Sequence, residues 1–529
     1  MTTKALASAL PVLAATLLAA QAQTNKTITA DSPPALNSVE QAIQDIKNPA
    51  SWLNFGGDLR LRNEYHNNGE SLTTDSKVSP LFAPVHDQDY FRIRGRIWTT
   101  IAPTEDLSLN ARLAAEPRDF MKPAFSDTFF QREGMQWRYG IFDSLNVQWK
   151  KPLDLPATLT VGRQDIFLGD GWLVGDGTPE DGSFTYFLDA ARLTVDLKDQ
   201  HTTVDVIGLI QNARPDAWLP TIGQSTTADH PPNAPLELTD QNEKGAILWV
   251  ANKSIPEANF DAFFIYKHDT RQDNPPSPPP VTGLLFGDNA DIFTLGGSVS
   301  GVLQDHWKYS AEGAYQFGQK QDPFLNGFIN GNNPLLAPSA QTTGFRDIEA
   351  FGVQSKLTYL VKDNFNTQLS LSYEFLSGDN PNTRNDEMFD VLWGRWPQWS
   401  EVYNIYSYVQ ETRVGQTANL HRIGPTLTLT PIKDMDLSAS YYVLLADQGV
   451  ATRSDYLNGP ALGLPVGALG QAFSNDNGIF RGHYLQAILK YKFSRHLSGH
   501  LWSEFVFPGD YYVSRDMITF LRAEIMLTL

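Results

Sequence analysis

The chain has 529 residues, a formal net charge of −18 and no cysteine. The lack of cysteine excludes disulfide cross-links, and the acidic balance disfavours a nucleic-acid partner. A chain of this length usually folds into several soluble domains. No linker divides this one, however, and its pattern is rich in strand signals throughout, so a single large β-barrel fits better.

The first residues have the pattern of an export signal. Lys4 supplies a short positive region, residues 5–20 are a run of small apolar residues, and an Ala-Gln-Ala cleavage site ends at residue 22. An N-terminal membrane anchor is the alternative, but the run is short for a span. We predict a signal peptide over residues 1–22, a periplasmic N-terminal segment over residues 23–51 and a barrel over residues 52–529.

From Trp52 onward, apolar and polar residues alternate with a period of two. Leu59 and Leu61 alternate with Arg60 and Arg62, for example. The same alternation occurs at residues 91–97, 107–113, 369–375 and 521–529. Successive side chains of a strand point to opposite faces, so each of these segments has one apolar and one polar face.

Short and long connections alternate between the strands. Eight short polar connections are expected at residues 103–106, 151–157, 198–201, 253–258, 304–306, 362–364, 431–435 and 494–496. Nine longer connections, rich in Gly, Pro, Asn and Asp, are expected near residues 67–89, 116–139, 168–186, 212–243, 269–290, 319–348, 377–417, 447–480 and 507–516. This pattern predicts an all-β fold, a transmembrane antiparallel barrel of about 18 strands with short periplasmic turns and long extracellular loops.

Aromatic residues recur near the ends of the predicted strands, among them Trp149, Trp249, Trp307 and Tyr359. Rings with a polar tip prefer the membrane–water interface, so this recurrence favours two aromatic girdles. Ordinary packing within a sheet is the alternative for each ring taken alone.

The polar faces of the strands would line a lumen. The basic residues predicted there are Arg60, Arg62, Arg92, Arg94, Arg96, Arg112, Lys150, Arg192, Lys356, Arg422, Lys490, Lys492 and Arg522. The acidic residues on the same faces are Asp58, Glu64, Asp196, Asp205, Glu312, Glu374, Glu504 and Glu524. The basic excess predicts a channel that concentrates anions, and the planar fork of Arg suits a carboxylate. Alternatively, these charges only hydrate a large lumen.

Arg163 does not fit this parity. It alternates in phase with Val161, which is predicted to face lipid. A bulge near Gly162, or the end of the strand, would re-aim its side chain. We therefore expect Arg163 at the lumen or at the rim.

Four stretches together resemble the alginate-export outer-membrane porin family. They are residues 161–193, 388–401, 419–445 and 498–512, in the order of the predicted hairpins. The resemblance implies an eighteen-stranded barrel and passive export of an anionic polysaccharide through an Arg-lined constriction. Trp172 departs from the family, which commonly has Arg there, and Leu529 replaces the usual terminal aromatic.

A Gly- and Asp-rich stretch, Gly169 to Gly182, could hold calcium through several carboxylates. The candidate ligands are Asp170, Asp176, Glu180 and Asp181. Their spacing matches no EF-hand, and the stretch lacks the Gly-Lys-Ser/Thr of a phosphate loop, so a solvated loop is the simpler interpretation. No metal and no cofactor are expected.

Tryptophans also concentrate in the predicted outside loops, at Trp172, Trp393, Trp396 and Trp399. Exposed rings would stack on the apolar faces of sugars, whereas packing within the loop is the alternative. The expected partners are an anionic polysaccharide, outer-membrane lipid, the barrel-assembly machinery and periplasmic secretion components.

The predicted function is an outer-membrane porin, not an enzyme, that passively exports a uronate-containing polysaccharide. A general anion or oligosaccharide uptake porin is the first alternative. A barrel hydrolase is the second, because His500 and Glu504 share a lumen face, although no nucleophile is evident beside them. A soluble β-rich binding protein is the third.

Overall fold

The computed structural model describes most of the predicted barrel. The described residues are 38–69, 74–75, 86–122, 134–136, 140–175, 187–214, 218–223, 239, 241–271, 289–321, 345–380, 383–394, 397–406, 418–449, 478–512 and 515–529. The predicted signal peptide lies outside them, so its assignment stays a prediction.

The described chain consists of twenty strand segments and two α-helices. The helices are α1 (Ser38–Lys47) and α2 (Glu401–Tyr406). The strands are β1 (Leu53–Asn67), β2 (Asp87–Ile101), β3 (Leu107–Ala115), β4 (Arg118–Lys122), β5 (Gly134–Gln136), β6 (Ile141–Lys150), β7 (Ala157–Gln164), β8 (Leu188–Leu197), β9 (Thr202–Gln211), β10 (Gln241–Ile255), β11 (Ala258–Arg271), β12 (Asn289–Leu303), β13 (Trp307–Gln321), β14 (Arg346–Leu360), β15 (Gln368–Leu376), β16 (Leu420–Ile432), β17 (Met435–Leu445), β18 (Phe480–Lys492), β19 (Leu497–Pro508) and β20 (Ile518–Thr528). No helix among these residues is long and apolar enough to cross a membrane.

The segments form one closed antiparallel barrel. β3 and β4 both pair with β2 and are parts of one barrel strand, and β5 and β6 continue each other in the same way. β1 pairs with β2 on one side and with β20 on the other, which closes the ring at eighteen strands. Closure leaves no strand edge unpaired in lipid. The predicted fold class is confirmed, including its eight short turns at one end and nine long loops at the other.

The two faces of the barrel wall differ in polarity as the alternation predicts. On β1, the side chains of Leu59 and Leu61 are 54% and 48% exposed on the outer face, whereas Arg60 and Arg62 are buried on the inner face. The outer face therefore presents an apolar band to lipid. The charged side chains of the same strand turn toward the lumen.

Aromatic rings mark the periplasmic end of the outer band. Trp307 and Tyr359 lie side by side across β13 and β14, with ring centroids 4.8 Å apart, and both are partly exposed. The prediction for Trp249 is wrong, because its ring is 3% exposed and stacks on Phe263 inside the barrel at 4.4 Å. Its inward parity on β10 determines this position.

Replacement of Leu371 by Arg tests the lipid-facing band. Leu371 is 53% exposed between Leu357 and Pro425 on the neighbouring strands. Leu371 lies one outward position beyond Leu369, the register partner of the girdle residue Tyr359. An arginine costs about 2–4 kcal/mol at the bilayer midplane and about 0–1 kcal/mol near the interface, so a loss of about 1–2 kcal/mol is expected in the free energy of unfolding in liposomes. The matched control is Leu153→Arg in the short turn after β6, where the side chain is 82% exposed. Equal destabilisation by the two substitutions would contradict the placement of the band.

Helix α1 docks on the periplasmic end of the barrel through Glu40. The Glu40 carboxylate accepts hydrogen bonds from Arg495 Nη1 at 3.2 Å and from His496 Nε2 at 3.1 Å. The His496 hydrogen bond, with the nearby charges of Arg495 and His496, lowers the pKa of Glu40 below its usual value. The ionised carboxylate therefore stabilises docking.

Acidification is expected to release α1. A carboxyl group with a lowered pKa stabilises above its ordinary pKa of about 4.3 and loses this contribution as pH falls through the folded-state pKa. Because the chain has no cysteine, a nitroxide on Ala42→Cys reports the mobility of the exposed face of α1. Mobility should rise between pH 7 and pH 3, and it should be high at both values in Glu40→Gln. An unchanged spectrum would remove Glu40 from the docking contact.

Candidate functional site: a charged, loop-lined lumen

The lumen wall carries a ladder of arginines on β1 and β2. Arg60 lies directly opposite Arg94, and Arg62 lies directly opposite Arg92. Like charges in these cross-strand positions repel each other, so the arrangement requires carboxylates between them. Glu116 supplies one, from the break that separates β3 from β4.

Three buried glutamates neutralise the ladder. Glu116 accepts hydrogen bonds from Arg60 Nη2 at 2.5 Å and Arg92 Nε at 2.7 Å. The remaining pairs of the ladder are Arg62 Nε with Glu524 at 2.7 Å, Arg522 Nη2 with Glu64 at 2.6 Å and Arg92 Nη1 with Glu64 at 3.1 Å. A buried network of this kind fixes each guanidinium in position, since removal of one partner leaves an uncompensated charge.

Each lumen arginine whose side chain is 10% or more exposed has a less exposed carboxylate partner. The side-chain exposures are 10% for Arg92 against 2% for Glu64, 10% for Arg96 against 2% for Asp58, 18% for Arg112 against 0% for Asp143, 23% for Arg118 against 1% for Glu116, and 25% for Arg192 against 8% for Asp205. Arg112 also pairs with Asp165, which is 30% exposed. The other ladder arginines are buried: Arg60, Arg62, Arg94 and Arg522 are 0–1% exposed, less than their carboxylate partners. The five arginines with exposed side chains therefore face water, and each has a carboxylate partner that is more deeply buried.

Two predicted lumen residues lie apart from the ladder. Arg192 on β8 donates from Nε to Asp205 of β9 at 2.7 Å. Lys490 on β18 is exposed near the periplasmic end, directly opposite His500 of β19. Sequence parity thus placed these side chains on the inner face without giving their partners.

Arg163 lies at the extracellular rim, one of the two places expected for it. It pairs in register with Asp189, and Asp189 pairs with Ile210, whose side chain is 43% exposed on the outer face. Directly opposed side chains share a face, so Arg163 keeps the outward parity despite the positive φ of Gly162. Its guanidinium is buried, binds Asp189 at 2.9 Å and stacks on Phe187 at 3.8 Å.

Two outside loops fold into the lumen and pair with each other. We name them loop 3 (residues 165–187) and loop 7 (residues 377–419). Val174 and Trp393 form a parallel bridge, in which Trp393 N donates to Leu173 O at 3.0 Å and Gly175 N donates to Trp393 O at 3.2 Å. The described parts of the two loops therefore form one backbone-linked unit inside the barrel.

The tryptophans of these loops pack against the wall instead of presenting free faces. Trp172 is 8% exposed, stacks on Phe389 at 5.5 Å and donates from Nε1 to Glu374 at 3.2 Å. Trp393 is 3% exposed and donates from Nε1 to Glu243 at 3.0 Å. Trp396 lies outside the described residues. The packing alternative therefore describes Trp172 and Trp393.

Small inward-facing residues on the strands make room for these rings. A Cβ on Gly352 would lie 2.6 Å from Phe389 Cζ, and a Cβ on Gly245 would lie 2.9 Å from Trp393 Cζ2. Ala314 and Ala350 belong to the same buried cluster. This apolar part of the lumen was not predicted from the sequence. Glycine and alanine at inward strand positions are the signal that would have indicated it.

Glu504 holds α2 of loop 7 in the lumen. Its carboxylate accepts hydrogen bonds from Ser400 Oγ at 2.7 Å, Glu401 N at 2.9 Å and Val402 N at 3.0 Å. Trp502 Nε1 also donates to it, at 2.6 Å. The carboxylate is fully buried and engaged with the loop, so it is a positioning group and not a residue on the permeation surface.

Loops 3 and 7 enclose a cavity of about 430 Å³ against the wall. Phe167, Asp170 and Trp172 of loop 3, Gln398 and Trp399 of loop 7, and Gln354, Glu374 and Arg422 of β14, β15 and β16 line it. Among the described residues, no group of three His, Cys, Asp or Glu is arranged to hold a metal ion. Asp176, Glu180 and Asp181 lie outside that part of the chain.

Comparison with known proteins identifies the family. A family model described as alginate export matches residues 224–522, more than half of the chain, whereas no curated protein matches it. OccAB2 of Acinetobacter baumannii is 10% identical over 91% of this chain and 99% of its own, with a TM-score of 0.49. OccK8 (OprE) of Pseudomonas aeruginosa is 10% identical over 90% and 98%, with a TM-score of 0.48. The chain belongs to the alginate-export family, and it folds as a closed antiparallel barrel of eighteen strands.

Proposed function

We propose that this porin lets an anionic, uronate-containing polysaccharide or its fragments diffuse outward through the lumen. The carrying observation is that five arginines of the lumen wall have water-exposed side chains and that each is paired with a more deeply buried carboxylate. An aqueous surface of this kind attracts anions even where acids and bases are nearly equal in number.

Arginine suits the carboxylates of such a polymer in two ways. Its planar fork donates two parallel hydrogen bonds to one carboxylate, and it stays charged at every physiological pH. The exposed arginines are spread over β2, β3, β4 and β8, so a chain would meet several weak sites in succession. Several weak sites favour entry without trapping the polymer.

Bilayer recordings and vesicle flux test this function. In a KCl gradient, the wild-type protein is expected to show a reversal potential of the sign that anion selectivity produces. Vesicles that contain the protein should release alginate oligosaccharides faster than maltooligosaccharides of equal length. Cation selectivity, or equal flux of the two sugars, would overturn the proposal.

A further inference from the structure

We propose that the cavity between loop 3 and loop 7 is a binding subsite for one hexuronate ring of the permeating chain. The inference rests on the proposed function, because it assigns one resting position to the same anionic polymer. A volume of about 430 Å³ is within the range of pockets that hold small ligands. Phe167, Asp170 and Gln398 are the exposed members of its lining.

Arg422 supplies the carboxylate-binding group. Its Nε donates to Glu374 Oε2 at 3.0 Å, and its guanidinium lies 4.9 Å from the Trp399 ring centroid and 4.6 Å from that of Tyr442. Within the described part of the chain, Nε makes the only hydrogen bond of this guanidinium. The two aromatic rings and Glu374 fix its plane, so the Nη atoms are available to one carboxylate at little entropic cost.

Phe167 supplies an apolar platform at the mouth of the cavity. Its ring is 50% exposed although it lies inside a polar lumen. The ring lies over Gly171, which has a φ of +74°, and a Cβ at that position would collide with the ring. The loop is thus built to hold an aromatic face open. The C–H face of a pyranose would cover this ring.

Asp170 and Gln398 supply hydroxyl-binding groups. Both side chains are exposed at the cavity, and neither makes a hydrogen bond within the described residues. A carboxylate accepts from sugar hydroxyls, while an amide both donates and accepts. Asp170 repels the carboxylate of the ligand, which is therefore directed to Arg422. This division of labour suits a ring with one carboxylate and several hydroxyls.

The inference is tested by the concentration dependence of current block in single channels. The probes are an alginate trisaccharide and maltotriose, a neutral trisaccharide of similar size. The variants are Phe167→Ala and the charge-conserving Arg422→Gln/Glu374→Gln. The matched control is Phe365→Ala, which removes a 52% exposed ring from the short turn between β14 and β15. Unaltered open-channel conductance reports that each variant is assembled.

The alginate trisaccharide is expected to bind about tenfold more weakly to Phe167→Ala, because the apolar platform is lost. It should bind about 10- to 100-fold more weakly to the double variant, because charge-assisted hydrogen bonds are lost. Phe365→Ala should bind like the wild type. Equal block by maltotriose would overturn the uronate assignment. Unchanged block in both cavity variants, with alginate flux intact, would overturn the subsite and leave the proposed function standing. Absence of both block and flux would overturn both.

Discussion

Neutralisation of three exposed lumen arginines is expected to abolish anion preference. In Arg96→Gln/Arg118→Gln/Arg192→Gln three of the water-exposed arginines of the wall lose their charge. A unit charge contributes about 1 kcal/mol at 4 Å even at the dielectric constant of water. The loss of three therefore lowers the anion-to-cation permeability ratio by about tenfold or more. The reversal potential in a KCl gradient measures it directly.

These positions are chosen because each carboxylate keeps another partner. Asp58 retains Arg94 at 3.4 Å, Glu116 retains Arg60 and Arg92, and Asp205 retains Thr194. The barrel should therefore assemble, in contrast to variants that leave a buried acid alone.

The control for net charge is Lys151→Gln/Lys198→Gln/Lys362→Gln, three changes in the short periplasmic turns. It should shift selectivity little, since exposed charges are screened beyond about 10 Å at 0.1 M salt. Equal shifts in the two triple variants would mean that overall charge, and not the lumen wall, sets selectivity.

The local sequence pattern was sufficient to predict the barrel and its inward-facing residues, but not the contacts that these residues make inside the lumen. The period of two follows from strand geometry, so the inward parity of Arg60, Arg62 and Arg192 could be predicted residue by residue. Which acid neutralises each arginine could not. Glu116 reaches Arg60 only because β3 is interrupted after Ala115, and Glu524 reaches Arg62 only through closure of the last strand on the first. Both contacts depend on tertiary structure.

The inward folding of loops 3 and 7 could not be predicted from the sequence pattern either. Trp393 lies far from Glu243 and Val174 in the sequence, and its aromatic character suited sugar stacking as well as packing. The inward glycines Gly245 and Gly352 decide between these alternatives only when the register of β10 and β14 is known. For Arg163, by contrast, the local pattern alone predicts the face of the strand correctly. Its simple parity was correct, and no bulge was needed to explain it.

Removal of the Glu504 carboxylate is expected to release the described part of loop 7 from the lumen. The first backbone N–H groups of α2 have no partner within the helix. Ser400 Oγ accepts from Tyr403 N at 3.1 Å, and Glu504 accepts from Glu401 N and Val402 N. Hydrogen bonds to a charged group contribute about 1.5–3 kcal/mol each, so Glu504→Ala should destabilise the docked loop by about 3 kcal/mol or more.

Single-channel recording distinguishes this release from a general loss of stability. Glu504→Ala should show a larger and noisier conductance than the wild type, because α2 and the residues paired with loop 3 no longer hold one position. Glu349→Ala is the matched control. It removes an exposed carboxylate that accepts one hydrogen bond from loop 7, at Asn385 Nδ2, and it should leave conductance unchanged. If Glu504→Ala assembles with wild-type conductance, the loop is held in the lumen by its apolar contacts, and the carboxylate serves only the helix end.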